Sequence, residues 1–185
     1  MKRLLLCLSA IMLLSLACTS SKDRDSEIEA INKLRTSLQT TDIIGDNPNV
    51  DQLLNRYLDF ASSFPDDSLA PVFLREAADL NIAVGTPDRS IPIIDTLIAT
   101  YPGFEDIAYC YFLKGWAFEN AEQYDSAIDS YSVFVNNYPD HFLAPGIRTM
   151  LEKNLIGASQ EQLQDYLIAQ ANDSNLAKSS NPLTR

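Results

Sequence analysis

The stretch DSAIDSYSVFVNNYP, Asp125 to Pro139, carries a helix face and its own stop signal. Ile128, Tyr131 and Phe134 recur every third residue, which describes one side of a helix, and Pro139 cannot continue that helix. The pattern occurs twice upstream in the same register, as DRSIPIIDTLIATYP (Asp88 to Pro102) and DQLLNRYLDFASSFP (Asp51 to Pro65). The marks Phe64-Pro65, Tyr101-Pro102 and Tyr138-Pro139 therefore stand 37 residues apart. Leu54, Ile91 and Ile128 keep the interval, as do Tyr57, Ile94 and Tyr131, and Phe60, Leu97 and Phe134. A fixed interval of this size implies one supersecondary unit stacked on copies of itself, because one unit cannot bury its apolar face alone. The chain is predicted to be all-α, and the functional question moves from chemistry to binding.

Outward from these repeats, the start of the chain reads as a targeting signal. Lys2 and Arg3 precede an uncharged apolar run from Leu4 to Leu16. That run is shorter than the roughly 20 residues a membrane span needs. It ends in Ser15-Leu16-Ala17-Cys18, which resembles a bacterial lipobox, with Ser15 where leucine is usual. The resemblance implies cleavage after Ala17 and acylation of Cys18 by palmitate-type chains. Each buried methylene contributes about 0.8 kcal/mol, so two or three such chains hold a protein at a membrane almost permanently. Thr19 is not the aspartate that signals inner-membrane retention, and Ser21-Lys22-Asp23-Arg24-Asp25 resembles the charged tether of surface lipoproteins. The expected organisation is a signal peptide over 1–17, a lipidated tether over 18–25, a repeat domain over 26–172 and a disordered Ser- and Asn-rich tail over 173–185. The expected location is the bacterial outer membrane, on its periplasmic face or at the cell surface.

Loss of Lys2 and Arg3 takes the formal net charge from −11 to −13. A chain this acidic repels nucleic acid and anionic surfaces, so its partners are expected among neutral or basic envelope and outer-membrane proteins. After processing, Cys110 is the one cysteine besides Cys18, which excludes an intramolecular disulfide. Cys110 reads as a small buried apolar residue.

About eight helices are expected. Ser26 and Glu29, at capping-box spacing, open the first, with Ile28, Ile31, Leu34 and Leu38 on its apolar face. Gly45 and Pro48 then break the chain. Further helices are expected at Asp51–Ser63, Leu69–Val84, Asp88–Thr100 with Asp88 as N-cap, Glu105–Asn120, Asp125–Asn137 and Phe142–Asn154. A last helix, opened by Ser159 and Gln162, ends near Asn172 and pairs with the one before it.

Ala108 to Pro139 resembles a tetratricopeptide repeat (TPR), through Tyr111, Gly115, Phe118, Ala127, Tyr131, Phe134 and Pro139. Gly115 and Ala127 lack bulk, so two helices of a hairpin can approach there while aromatics fill the groove. The unit before it keeps Leu74, Ala78, Ser90, Ile94, Leu97 and Pro102, with Asn81 where an aromatic is expected. The unit after it keeps Ala144 and Ile147, with Glu152 where a small residue is expected. The resemblance covers about Asp51 to Asn172 and implies an α-solenoid of helical hairpins. On a lipidated chain it also looks like the TPR lipoprotein of the outer-membrane β-barrel assembly machinery and the Tol–Pal-associated coordinator. A non-catalytic scaffold of the cell envelope follows as the expected function, and capture of a peptide or glycan as the alternative.

Residues that could carry chemistry are few. His141 is the single histidine and follows Pro139-Asp140 in a turn. Six glycines form no phosphate-binding loop, no serine or cysteine sits in a nucleophile elbow, and metal-ligand spacing is absent, so no catalytic residue, cofactor or metal is expected. Asp66-Asp67 follows a helix-ending proline, where turn formation accounts for both.

The candidate binding residues are Tyr109, Phe112 and Trp116, a second stripe on the helix that carries Tyr111, Gly115 and Phe118. The TPR resemblance implies that this stripe lines a concave groove, where three aromatics present roughly 450–750 Å². Burial by neighbouring helices is the other placement open to it. The anchor makes a direct prediction: Cys18→Ser moves the protein out of the membrane fraction or leaves it unprocessed. Unchanged acylation and fractionation of that variant would exclude a lipoprotein.

Overall fold

A computed structural model describes residues 24–38 and 47–179 of the protein, with side chains as far as residue 172. The signal peptide, Cys18 and most of the tether lie outside the described residues. Among the described residues there are eight helices and no strand: α1 (residues 24–38), α2 (Pro48–Ser63), α3 (Leu69–Ala83), α4 (Ser90–Thr100), α5 (Ile107–Asn120), α6 (Tyr124–Asn137), α7 (Ala144–Glu152) and α8 (Gln160–Ser179). This is the all-α helical-hairpin repeat fold expected from the sequence. The chain divides into two compact units between Phe104 and Glu105. Each unit closes a core of its own, around Phe60 and Phe73 in the first and Tyr131 and Phe134 in the second.

Two kinds of helix end alternate along the chain. Helices α2, α4 and α6 stop at the aromatic of each aromatic-proline mark, whose N–H still bonds one turn back: Phe64 to Phe60 at 2.8 Å, Tyr101 to Leu97 at 2.8 Å, Tyr138 to Phe134 at 2.9 Å. The following proline forbids another turn. Helices α3, α5 and α7 end instead on a left-handed residue: Gly85 (φ 78°), Glu122 (φ 58°) and Asn154 (φ 54°). Each closes the same pair of bonds. Thr86 N–H reaches Asn81 O at 2.8 Å, Gln123 N–H reaches Phe118 O at 2.9 Å, and Leu155 N–H reaches Met150 O at 2.8 Å. The left-handed residues bond to Ile82, Glu119 and Leu151, which completes a Schellman motif in all three helices.

In the first unit, α1 is no copy of the repeat, and arginines fasten it to the α2–α3 hairpin. Arg24 pairs with Asp67, Arg56 donates to Glu27 at 2.7 Å, and Arg35 pairs with Glu76. Arg35 also donates to Tyr57 Oη at 2.7 Å and lies 5.3 Å from the ring centres of Tyr57 and Phe73. The Arg24 guanidinium holds the Asp67 carboxyl below its ordinary range, helped by the Leu69 N–H at 2.9 Å that opens α3. Arg24 and Asp25, expected in the tether, are therefore already helical, and Ser26 lies inside α1 rather than capping it. Pro48, expected to break the chain, starts α2 behind an Asn47 cap that accepts from Asn49 N–H at 3.0 Å. At the first helical position its missing N–H costs nothing.

Asp88 does not cap α4 either; it sits in a short 3-10 turn, Pro87–Arg89. Ser90 opens the helix and donates to Ala78 O at 2.7 Å in a fully buried contact. Asn81 replaces the expected aromatic because it is tied to the turn: buried, it donates to Ala77 O at 3.0 Å and accepts from Thr86 Oγ1 at 3.0 Å. Tyr101 of the second aromatic-proline mark donates to Pro65 O of the first at 2.9 Å.

In the second unit, α7 packs on α6 through buried Ala144 and Ile147. The capping box at α8 forms as expected, with Ser159 N–H on Gln162 Oε1 at 2.8 Å and Gln162 N–H on Ser159 Oγ at 3.3 Å. Among the described residues α8 shows little of the expected pairing with α7. Leu167 and Ile168 of α8 are 61% and 51% exposed, and only Leu163 and Tyr166 are half-buried. Glu152, where a small residue was expected, is exposed at the end of α7. The helix also continues past Asn172 to Ser179, since no glycine or proline interrupts the chain before Pro182.

Glu122 occupies the left-handed position that Gly85 fills one repeat earlier. A side chain there costs about 1–2 kcal/mol, against roughly 0.5–1 kcal/mol of extra unfolded-state freedom for glycine. Glu122→Gly is predicted to stabilise the second unit by about 0.5–1 kcal/mol net. Thermal unfolding checks it, and a lowered midpoint would show that Glu122 carries no strain.

Candidate functional site

Helix α5 is apolar on nearly every side, so it must bury more than one face. The chain enters it through Asp106, whose carbonyl accepts from Cys110 N–H at 3.1 Å. Cys110, Leu113 and Ala117 are fully buried. Toward α6 the decisive residue is Gly115. A Cβ there would stand 2.4 Å from Tyr131 Cδ1 and 2.6 Å from Cε1, so the tyrosine ring fills the space that any side chain would need. Tyr111 packs on Tyr138, with ring centres 5.3 Å apart.

Burial of Tyr131 obliges its hydroxyl to find a partner. It donates to Glu119 Oε2 at 2.8 Å, and the other Glu119 oxygen accepts from Gly157 N–H at 3.2 Å. Burial pushes the Tyr131 hydroxyl far above the ordinary tyrosine range, and Glu119 adds to the shift, so it remains a donor. Gly157 (φ 73°) seals the other side, because a Cβ there would stand 2.5 Å from the Tyr124 ring. Sequence reasoning passed over Glu119 and Gly157; 38 residues separate them, and no local spacing signals the pair.

The structure brings Tyr109, Phe112 and Trp116 together. Tyr109 and Phe112 have ring centres 5.7 Å apart, and Phe112 stacks on Trp116 at 6.2 Å with an interplanar angle of 29°. The stripe is neither wholly buried nor wholly exposed. Trp116 is 39% exposed, whereas Phe112 is half-buried with its ring 5.8 Å from those of Tyr131 and Phe134. Phe112 thus backs the ladder from inside the hairpin, Trp116 faces outward, and Tyr109 is half-buried at the other end. Asn120 donates to Trp116 O at 2.8 Å.

The other residues considered for chemistry serve the fold. His141 is half-buried in its turn, where Nδ1 accepts from Leu143 N–H at 3.3 Å and the ring meets Phe134 edge-on at 5.3 Å. Asp67 opens α3, and Cys110 is buried. A concavity of about 630 Å³ in the first unit is lined by Glu27, Gln52, Asn55, Arg56 and Asp59 among others, and the Arg56–Glu27 pair joins two of these side chains. No helix among the described residues is long and apolar enough to cross a membrane. Cys18 lies outside them.

Residues 109–141 match the family model of the tetratricopeptide repeat. This stretch, formed by α5, α6 and the turn that follows, is similar to a TPR, a module for protein–protein contact. No curated protein and no solved structure matches the chain. The match omits the neighbouring units, which depart from the pattern at Asn81 and Glu152.

Gly115→Leu is predicted to destabilise the second unit. Overpacking costs about 1–3 kcal/mol and outweighs the gain of up to roughly 1 kcal/mol in helix propensity. Denaturant unfolding measures the balance. Parental stability would mean that α5 and α6 can separate without loss.

Proposed function

We propose that this protein is a lipid-anchored, non-catalytic scaffold of the bacterial outer membrane, holding envelope proteins through its TPR hairpin. The observation that carries this is the ring ladder on α5, where an indole is 39% exposed although the same helix buries Cys110, Leu113 and Ala117 completely. A rigid aromatic backed by a packed hairpin is the kind of anchor that dominates protein interfaces. The charged start, the apolar run and Ala17-Cys18 support the membrane address, and the chain's acidity supports neutral or basic partners.

The test combines crosslinking recovery of partners from native membranes with thermal unfolding, on the parent and on Trp116→Ala. Loss of an interface anchor is expected to weaken a partner by about 2 kcal/mol or more. Stability is expected to fall by less than the roughly 3–5 kcal/mol typical of a buried tryptophan. A fall of that full size with partners retained would make Trp116 a core residue and remove this surface from the proposal.

A further inference from the structure

Resting on this reading of α5 as a docking surface, we infer that the ladder takes an extended polypeptide segment bearing arginine or lysine side chains, with a cation placed on Trp116. Three observations lead there.

The first is the chemistry of the rings. Tyr109, Phe112 and Trp116 stand in series at 5.7 and 6.2 Å, and indole is the aromatic that binds cations best. The fold already uses this contact elsewhere: Arg35 lies 5.3 Å from the ring centres of Tyr57 and Phe73, and Lys114 lies 6.0 Å from that of Phe118.

The second is charge. Over residues 105–172 the basic side chains are Lys114, Arg148 and Lys153, well outnumbered by Asp and Glu. Lys114, the basic residue of α5, lies 6.0 Å from the ring centre of Phe118. Exposed Glu105 stands in the turn that leads into α5, one turn before Tyr109. An anionic segment meets repulsion here, and a cationic one meets attraction from the whole chain, whose net charge is −11.

The third is length. Tyr109 and Trp116 are seven residues apart on one helix, about 10 Å along its axis, which equals roughly three residues of extended chain. Including Glu105 and Asn120, the strip accommodates about six residues of extended chain. This suits a short linear segment rather than a folded domain.

Trp116 is the only tryptophan in the chain, so its fluorescence reports on the ladder alone. The full chain is titrated with three blocked hexapeptides of alternating glycine, whose other residues are arginine, glutamate or leucine. The expected result is a saturable change with the arginine peptide, at least about tenfold tighter than with the glutamate peptide and weakened by salt. Calorimetry should show that binding lost in folded Trp116→Ala and reduced several-fold in Glu105→Gln. A response to the leucine or glutamate peptide in preference to arginine overturns the cationic inference and keeps the docking surface. Calorimetric binding of the arginine peptide that Trp116→Ala leaves unchanged also overturns the inference, since the peptide then sits elsewhere on the acidic surface. No response to any of the three overturns both.

Discussion

Tyr131 places its ring carbons where a Cβ on residue 115 would stand, and the second unit is organised around that contact. Without a side chain on Gly115, α5 comes close enough to α6 for the tyrosine to be buried. A buried hydroxyl then requires an acceptor, which fixes Glu119, and the second Glu119 oxygen holds the Gly157 turn beyond α7. With this face of α5 filled, its surplus aromatics are left at the edge of the hairpin. Tyr109, Phe112 and Trp116 form a ladder there because Phe112 is wedged against Tyr131 and Phe134, which leaves the indole outermost.

The first unit meets the same need differently. Ala78 and Ser90 occupy the positions that Gly115 and Ala127 hold one repeat later, and a buried hydroxyl-to-carbonyl bond of 2.7 Å joins them. Its outermost helix, α1, has no repeat partner and relies on Arg24, Arg35 and Arg56. Ion pairs as exposed as these fix register more than they stabilise. The stabilisation comes from Ile31 and Leu38, each contributing about 1.5–3 kcal/mol when fully buried.

Sequence reading recovered what short-range pattern encodes. The interval of 37 residues gave the hairpins, the aromatic-proline marks gave the ends of α2, α4 and α6, and the small residues located the contact at Gly115. It also chose Tyr109, Phe112 and Trp116, which the fold brings together. Features that depend on distant partners were not legible. Pro48 looks like a breaker until Asn47 is seen to cap the helix behind it. Arg24 looks like tether until Asp67, 43 residues away, is found beside it. Phe112 was assigned to one stripe because helical periodicity counts angles; it serves two because a large ring at the border reaches both. The exposed side of α8 went unread for a related reason: a capping box shows where a helix starts and says nothing about what it packs on.

The helix contacts within each unit also bear on how the chain acquires its structure. Extensive packing joins neighbours in sequence, α2 with α3, α3 with α4, α5 with α6 and α6 with α7. Contacts of this kind close short loops, so little chain entropy is lost before each contact is rewarded, and folding is fast. Every hairpin also carries both of its stop signals within its own residues. It can form as soon as its own residues are available, without waiting for the remainder of the polypeptide. Such local assembly shortens the interval in which apolar helices stand open to misassociation.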